Sequence, residues 1–196
     1  MPLRAGCPAG PVSRVVLASR SPQRRAILDQ IGVAYDVEEP EVEELESGPP
    51  HEVALENAFR KASAVAARVS GAVVLGVDTL VSLGARVYGK PVDEADARTM
   101  LTALAGRRHT VVSGLCLIAD GRTRTAAAST VVEFRAFDEA LIEWYLASGE
   151  WSERAGAYAI QGRGAALVAG IEGDFLNVVG LPVTTLLELA PGLLGR

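Results

Sequence analysis

Apolar and polar positions fall in short blocks along this chain, and their spacing separates strands from helices. Arg14 to Ala18 (RVVLA) is an apolar run, read as a strand. Ser21 and Pro22 open a helix that reaches about Gln30 and stops at Gly32, with serine as N-cap and proline in the first turn. Ala34 to Val37 is read as a second strand, and the acidic, proline-punctuated stretch Glu38 to Pro50 as loop. From His51 to Val69, the residues Leu55, Phe59, Ala62, Ala66 and Val69 recur at helical spacing and predict an amphipathic helix, with Lys61 well off its apolar face.

Ala72 to Leu83 (AVVLGVDTLVSL) is read as a buried strand interrupted by Gly76 and Asp78, followed by a hairpin over Gly84 to Lys90. Asp93 caps a helix ending near Gly106. Thr110 to Ala119 and Thr123 to Phe137 are two long strands joined by Asp120 and Gly121, a strong hairpin signal. Asp138 caps a helix that closes at Gly149. Ala157 to Ile160, Ala165 to Val168 and Phe175 to Val179 read as strands, and Leu181 to Leu189 as a last helix with Pro182 in its first turn. Strands and helices alternate early and paired strands dominate the middle, which implies a mixed α/β fold with parallel and antiparallel portions. A groove between two such lobes is a natural ligand site. Residues 14–196 are expected to form one domain behind a loose tail, residues 1–13.

Composition narrows this picture. Aromatic residues make up 5% of the 196 residues and apolar residues 49%, so the core is expected to consist of Ala, Val, Leu and Ile. A net charge of -5 argues against non-specific nucleic-acid binding, but not against a small anion held by local cations. No apolar run approaches the roughly 20 residues that span a bilayer. The first residues lack the apolar stretch of a signal peptide, so a cytoplasmic location is expected. Cys7 and Cys116 form neither a disulfide framework nor a zinc spacing, and His51 lies far from His109. Any metal is therefore expected to be a hard cation on carboxylates, Mg²⁺ or Mn²⁺.

Several residues carry candidate chemistry. In Leu17-Ala-Ser-Arg-Ser-Pro-Gln-Arg-Arg25 a strand runs into a helix N-terminus, a ready anion site. Arg24 and Arg25 oppose the helix dipole there, at a cost of roughly 0.3–1 kcal/mol each, as arginines recruited for a phosphate would. The alternative is two solvated arginines. Asp78 sits among apolar residues, where an unpaired carboxylate is costly. It reads as a metal ligand or general base, or else as a structural aspartate bonding a turn or a nearby threonine. By residue type alone Lys61 and the acidic stretch Glu38 to Glu46 read as solvated, or else one member of that stretch reaches a metal held by Asp78. Gly84 to Lys90 matches the spacing of a P-loop, but Pro91 stands where Ser or Thr is required and no helix follows directly, so that motif is rejected. Gln161, in Tyr158-Ala-Ile-Gln-Gly162, is suited to reading a base edge, or simply occupies a tight turn.

Taken in order, LASRSPQRR near the start, RKA at 60–62, GVDT at 76–79, GKP at 89–91, HTVVSG at 109–114, YAIQG at 158–162 and NVVGLPV at 177–183 resemble the Maf family, also called septum formation inhibitor or Maf-like proteins. The resemblance runs from about Val15 to Leu189. It implies a nucleoside triphosphate pyrophosphatase that yields a monophosphate and pyrophosphate with a divalent cation. It also implies an elongated mixed α/β fold with two lobes around a central cleft, similar to inosine triphosphatases. Family members are often dimeric, so a homodimer is an expectation. Asp78 matches the catalytic proton acceptor and Glu44 an acidic residue of the site, which makes the two the expected metal ligands. Ser19, Arg24, Lys61 and Lys90 match positions lining the phosphate end. Thr79 and Gln161 look like the branch acting on dTTP and UTP. Gln23 departs from the arginine usual in that branch, at a position linked to substrate choice. Two rival readings stay open at this stage. One is a non-catalytic nucleotide-sensing regulator of cell division. The other is an interaction module using the strands at 110–137.

Overall fold

The computed structural model describes residues 14–194; the tail expected over residues 1–13, with Cys7, lies outside them. In chain order the elements are β1 (Val15–Ala18), α1 (Pro22–Gln30), β2 (Tyr35–Glu38), α2 (Pro50–Ala66), β3 (Val73–Leu83), β4 (Arg86–Tyr88), α3 (Glu94–Leu104), β5 (Arg108–Ala119), β6 (Arg122–Phe134), α4 (Glu139–Leu146), β7 (Val168–Glu172), α5 (Phe175–Val179) and α6 (Val183–Leu189). Short 3₁₀ segments at Ala155–Ala157 and Gly162–Leu167 precede β7. The caps act as expected: Ser21, Asp93 and Asp138 each accept a backbone N–H from the first turn of α1, α3 and α4.

The seven strands form one sheet in the order β2-β1-β3-β5-β6-β7, with β4 beside β3. β1 is parallel to β2 and β3, and every other pairing is antiparallel. This is the mixed α/β sheet flanked by helices that the element pattern predicts. One edge of β3 is paired with β5 from Val74 to Ser82. The opposite edge is shared. β1 covers it from Val73 to Gly76 and β4 from Val81 to Leu83, which among the described residues leaves Val77 to Leu80 without a strand neighbour on that side. β1 is parallel and β4 antiparallel to β3, so both run toward this gap. Ser19 follows β1 into it from one side; Gly89 and Lys90 follow β4 from the other.

Alternation along the central strands sorts the core by face. Val15, Leu17, Leu75, Val77, Leu115 and Leu117 pack with α1 and α6. Further along the same face Val81, Val111, Val132 and Phe134 pack with α3 and α4. Between these two clusters lie the hydroxyls of Thr79 and Ser113, directly opposite one another across β3 and β5. The other face carries α2, against Val16, Ala18, Val74, Leu80, Val112 and Cys116. Three clusters are built of aliphatic and small side chains plus Cys116, as expected, whereas Tyr88, Phe134, Tyr145 and Tyr158 gather in the α3/α4 cluster.

Three expectations need correction. The inward side of α2 is Val53, Ala54, Asn57, Ala58, Lys61, Ala62 and Val65, while Phe59 is 41% exposed. The helix is rotated from the stripe its large side chains suggest because it lies on two glycines of the sheet. A Cβ on Gly76 would stand 2.2 Å from the Ala58 carbonyl oxygen, and one on Gly114 would stand 2.2 Å from that of Ala54. Only alanine-sized side chains fit so close a contact, and Lys61 is carried inward with them. Second, Phe175–Val179 is a helix. Asp174 accepts from the N–H groups of Leu176 and Asn177, which starts a turn the apolar run alone does not reveal. Third, the strands read over Ala157 to Ile160 and Ala165 to Val168 are largely 3₁₀ and irregular: the Tyr145 hydroxyl accepts the Ala159 N–H, and Glu150 draws in the N–H groups of Arg163 and Gly164.

His109 is buried beside Phe134 and bonded through Nε2 to the Tyr158 hydroxyl at 2.9 Å. Burial lowers its pKa from 6.5 to about 4. Below pH 6.5 the unfolded chain therefore takes up a proton that the folded chain refuses, and stability falls as the pH drops from 6.5 toward 4. The loss is on the order of 3 kcal/mol at most. Thermal unfolding followed against pH should show this fall in the parent chain and a shallower one in His109→Gln.

Candidate active site

Asp78 points from β3 toward α2, and its carboxylate is nearly fully buried. Lys61 reaches it from α2, Nζ to Oδ1 at 2.6 Å. Asn57, one turn earlier, donates Nδ2 to Oδ2 at 3.1 Å. Burial alone would raise the Asp78 pKa, but Lys61, then Arg24 and Asn57, outweigh it and hold the carboxyl below its ordinary range. Asp78 is thus an ionised carboxylate at neutral pH. The same Lys61 ammonium also meets Glu44 Oε2 at 2.9 Å, so two carboxylates from separate parts of the chain converge on one cation. The acidic loop is therefore not wholly solvated, and Lys61 is not a surface lysine.

Thr79 projects to the opposite face of β3, toward α1. Arg24 is buried and every arm of its guanidinium is used. Nε donates to the Gly180 carbonyl at 2.9 Å, Nη1 to Ser19 Oγ at 2.9 Å and Nη2 to Thr79 Oγ1 at 3.2 Å. Burial lowers the Arg24 pKa, and Asp78 and Glu44 work against that shift. Thr79 Oγ1 also pairs with Ser113 Oγ at 2.9 Å. Arg25, the other arginine of that turn, donates to the Arg20 carbonyl at 3.1 Å on the exposed side, so of the two it is Arg24 that turns inward. Ser19, Arg24 and Thr79 form one bonded group and Glu44, Lys61 and Asp78 another, on opposite faces of β3 at the gap in its edge, where the Arg24 charge still acts on Asp78.

Three expected residues lie outside that network. Lys90 is exposed and pairs with Glu153 Oε2 at 2.5 Å, although the course of β4 brings its backbone to the far side of the gap. Glu153 is held below the ordinary carboxylate range chiefly by that lysine, with Arg154 and Arg20 contributing. Gln161 is exposed at the start of the second 3₁₀ segment. Gln23 accepts from the Ser21 hydroxyl at 3.1 Å, inside the cap of α1. Two residues of the network escape sequence reasoning. Ser113 sits within the apolar run of β5, directly across from Thr79. Asn57 lies one helical turn from Lys61, and that spacing of two polar residues among alanines is the signal that exposes it.

The carboxylates suit a hard divalent cation. Oxygens of Asp78 and Glu44 already gather around one positive charge. Among the described residues no group of three His, Cys, Asp or Glu side chains assembles. Mg²⁺ is commonly bound by one or two carboxylates with substrate phosphates and water completing the shell, and this donor set fits that pattern.

A family model described as Maf-like protein matches residues 14–192. A protein of Symbiobacterium thermophilum named dTTP/UTP pyrophosphatase is 45% identical over 174 residues, covering 88% of this chain and 90% of its own. One of Gloeobacter violaceus with the same name is 46% identical over 178 residues, covering 90% and 94%. One from an Anaeromyxobacter species, again so named, is 47% identical over 181 residues, covering 90% and 87%.

Proposed function

This chain belongs to the Maf-like protein family, and on that premise we propose that it is a nucleoside triphosphate pyrophosphatase acting on dTTP and UTP. The observation that carries the reading is the ionised Asp78, buried at the gap in the β3 edge and flanked by two buried cations. A triphosphate entering the gap is anionic and competes with Asp78 for the Lys61 ammonium. As Lys61 turns to the phosphates, Asp78 Oδ1 is freed to orient a water and accept its proton, and the water attacks the α-phosphorus. Pyrophosphate leaves, and the nucleoside monophosphate remains. Ser19 and Arg24 lie on the β1 side of the phosphates and Lys90 on the β4 side, where its bond to Glu153 is exchanged for one to phosphate. Asp78 and Glu44 would hold Mg²⁺ or Mn²⁺, which when bound offsets phosphate charge and activates water. Positioning and electrostatics carry the rate, with no covalent intermediate.

Thr79 and Gln161 support the pyrimidine preference. Gln23, tied to the Ser21 cap, takes the place of an arginine without the loss of that cap. The reading includes a cytoplasmic enzyme working on the nucleotide pool, as a homodimer. No described helix is long and apolar enough to cross a membrane.

The test is a panel of nucleoside triphosphates incubated with the protein and Mg²⁺ or Mn²⁺, with products separated by anion exchange. Monophosphate and pyrophosphate in equal amounts, fastest from dTTP and UTP, are expected. Diphosphate with orthophosphate, or binding without turnover, overturns the reading.

A further inference from the structure

We propose that Asn57 is a positioning residue that registers the acidic loop on Asp78, so that Glu44 faces the same point as Asp78 only while the Asn57 carboxamide is in place. This rests on the pyrophosphatase reading, in which the two carboxylates act together.

Asn57 is 2% exposed on the inner face of α2. Its Nδ2 donates to Asp78 Oδ2 at 3.1 Å and to the Leu45 carbonyl at 3.0 Å, and its Oδ1 accepts the Leu45 N–H at 2.7 Å. Both donors and the carbonyl oxygen are thereby engaged. The amide orientation follows from the network. The opposite flip would set a carbonyl oxygen against a carboxylate and an NH₂ group against an N–H. One side chain thus takes both peptide groups of Leu45, as a neighbouring strand would, and its second amide hydrogen reaches the catalytic carboxylate.

The loop depends on such a clamp. It has no helix or strand between Glu38 and Pro50 to hold it. Its other anchors are Arg60 to the Glu43 carbonyl, Arg68 to the Glu39 carbonyl and Arg20 to the Glu39 carboxylate, all exposed, and the Lys61–Glu44 pair, whose lysine substrate can draw away. Leu45 is itself 37% exposed, so its packing does not bury it fully. Glu44 is the residue directly before the clamp, and Lys61, one turn after Asn57, collects both carboxylates. α2 therefore presents two groups with separate tasks. Lys61 supplies charge that substrate can draw away. Asn57 supplies neutral hydrogen bonds that remain when Lys61 moves, and these keep the two carboxylates in register through the reaction.

Asn57→Leu keeps the branched outline with bulkier methyl ends and removes the clamp. Hydrogen exchange read by mass spectrometry on the free protein should show loop amides around Leu45 exchanging about tenfold faster, with α2 and β3 protected as in the parent. With dTTP and Mn²⁺, kcat should fall by roughly 10–100-fold, more than KM rises. A merely structural role would instead lower protection throughout α2 and leave kcat per folded molecule unchanged. Unaltered loop exchange, or kcat within about twofold of the parent, overturns the proposal. Asn57→Ala removes the carboxamide without added bulk or charge, and decides by the same measurements if the leucine variant does not fold. Should the parent make no monophosphate and pyrophosphate, the pyrophosphatase reading fails, while the exchange result still decides whether Asn57 holds the loop.

Discussion

Asp78→Asn will retain the fold and lose turnover by roughly 10²–10⁴-fold, the usual contribution of a positioned general base. Asparagine matches the size of aspartate, so the packing between β3 and α2 survives. It cannot carry the charge that Lys61, Arg24 and Asn57 now stabilise. Nor can its amide serve both neighbours. Lys61 and Asn57 each donate to one carboxylate oxygen, and only one acceptor remains. Lys61 keeps Glu44, so the buried ammonium is not left wholly unpaired. Stability should therefore drop by less than the ~3–5 kcal/mol typical of a fully orphaned buried charge. Steady-state kinetics with dTTP, alongside a denaturant titration, separates the two effects. A variant that turns over near the parent rate would remove Asp78 from the chemistry.

The largest effect on stability is expected from one added methyl group. Gly76→Ala would place a Cβ 2.2 Å from the Ala58 carbonyl oxygen and 2.8 Å from the Ala62 nitrogen. Both neighbours are helix backbone, which cannot rotate out of the way. α2 must lift from the sheet, and overpacking of this kind costs at least about 1–3 kcal/mol. Activity should fall with it, because Lys61 and Asn57 ride on the same helix. Gly170→Ala in β7 is the matched control, with nothing within 4 Å of the new methyl group, and should be near neutral. Equal urea midpoints for the two variants would show that the contact yields.

These two sites also mark how far the sequence could be read. Asp78 stands out because a carboxylate in an apolar strand needs an explanation. The long hairpin, the N-caps and the strand alternation are local signals, and they place most of the sheet. The orientation of α2 is not local. Its inward face carries alanines, a lysine and an asparagine between Val53 and Val65, while Leu55 and Phe59 lie toward the outside. Hydrophobic periodicity follows side-chain size, and here size is excluded by the close approach of two backbones. The signal was present as two glycines in neighbouring strands, Gly76 and Gly114, but it takes meaning only once the strands are paired. The stretches Ala157 to Ile160 and Ala165 to Val168 hide their shape for a similar reason. Side chains outside them, Tyr145 and Glu150, supply hydrogen bonds that turn this part of the chain. The ordered motifs reached Lys61 and Glu44, which residue type alone had left in solvent, and said nothing of Asn57.

The interruption along β3 bears on solubility as well as chemistry. Open sheet edges invite strands from other chains, and proteins blunt them with charge, proline or cover. Here the bare length from Val77 to Leu80 is closed at both ends by β1 and β4. A foreign peptide would need several consecutive residues to take hold, and the flanking strands leave no run of that length. The fold thus interrupts the pairing of β3 at the site without offering a free edge to an aggregating strand.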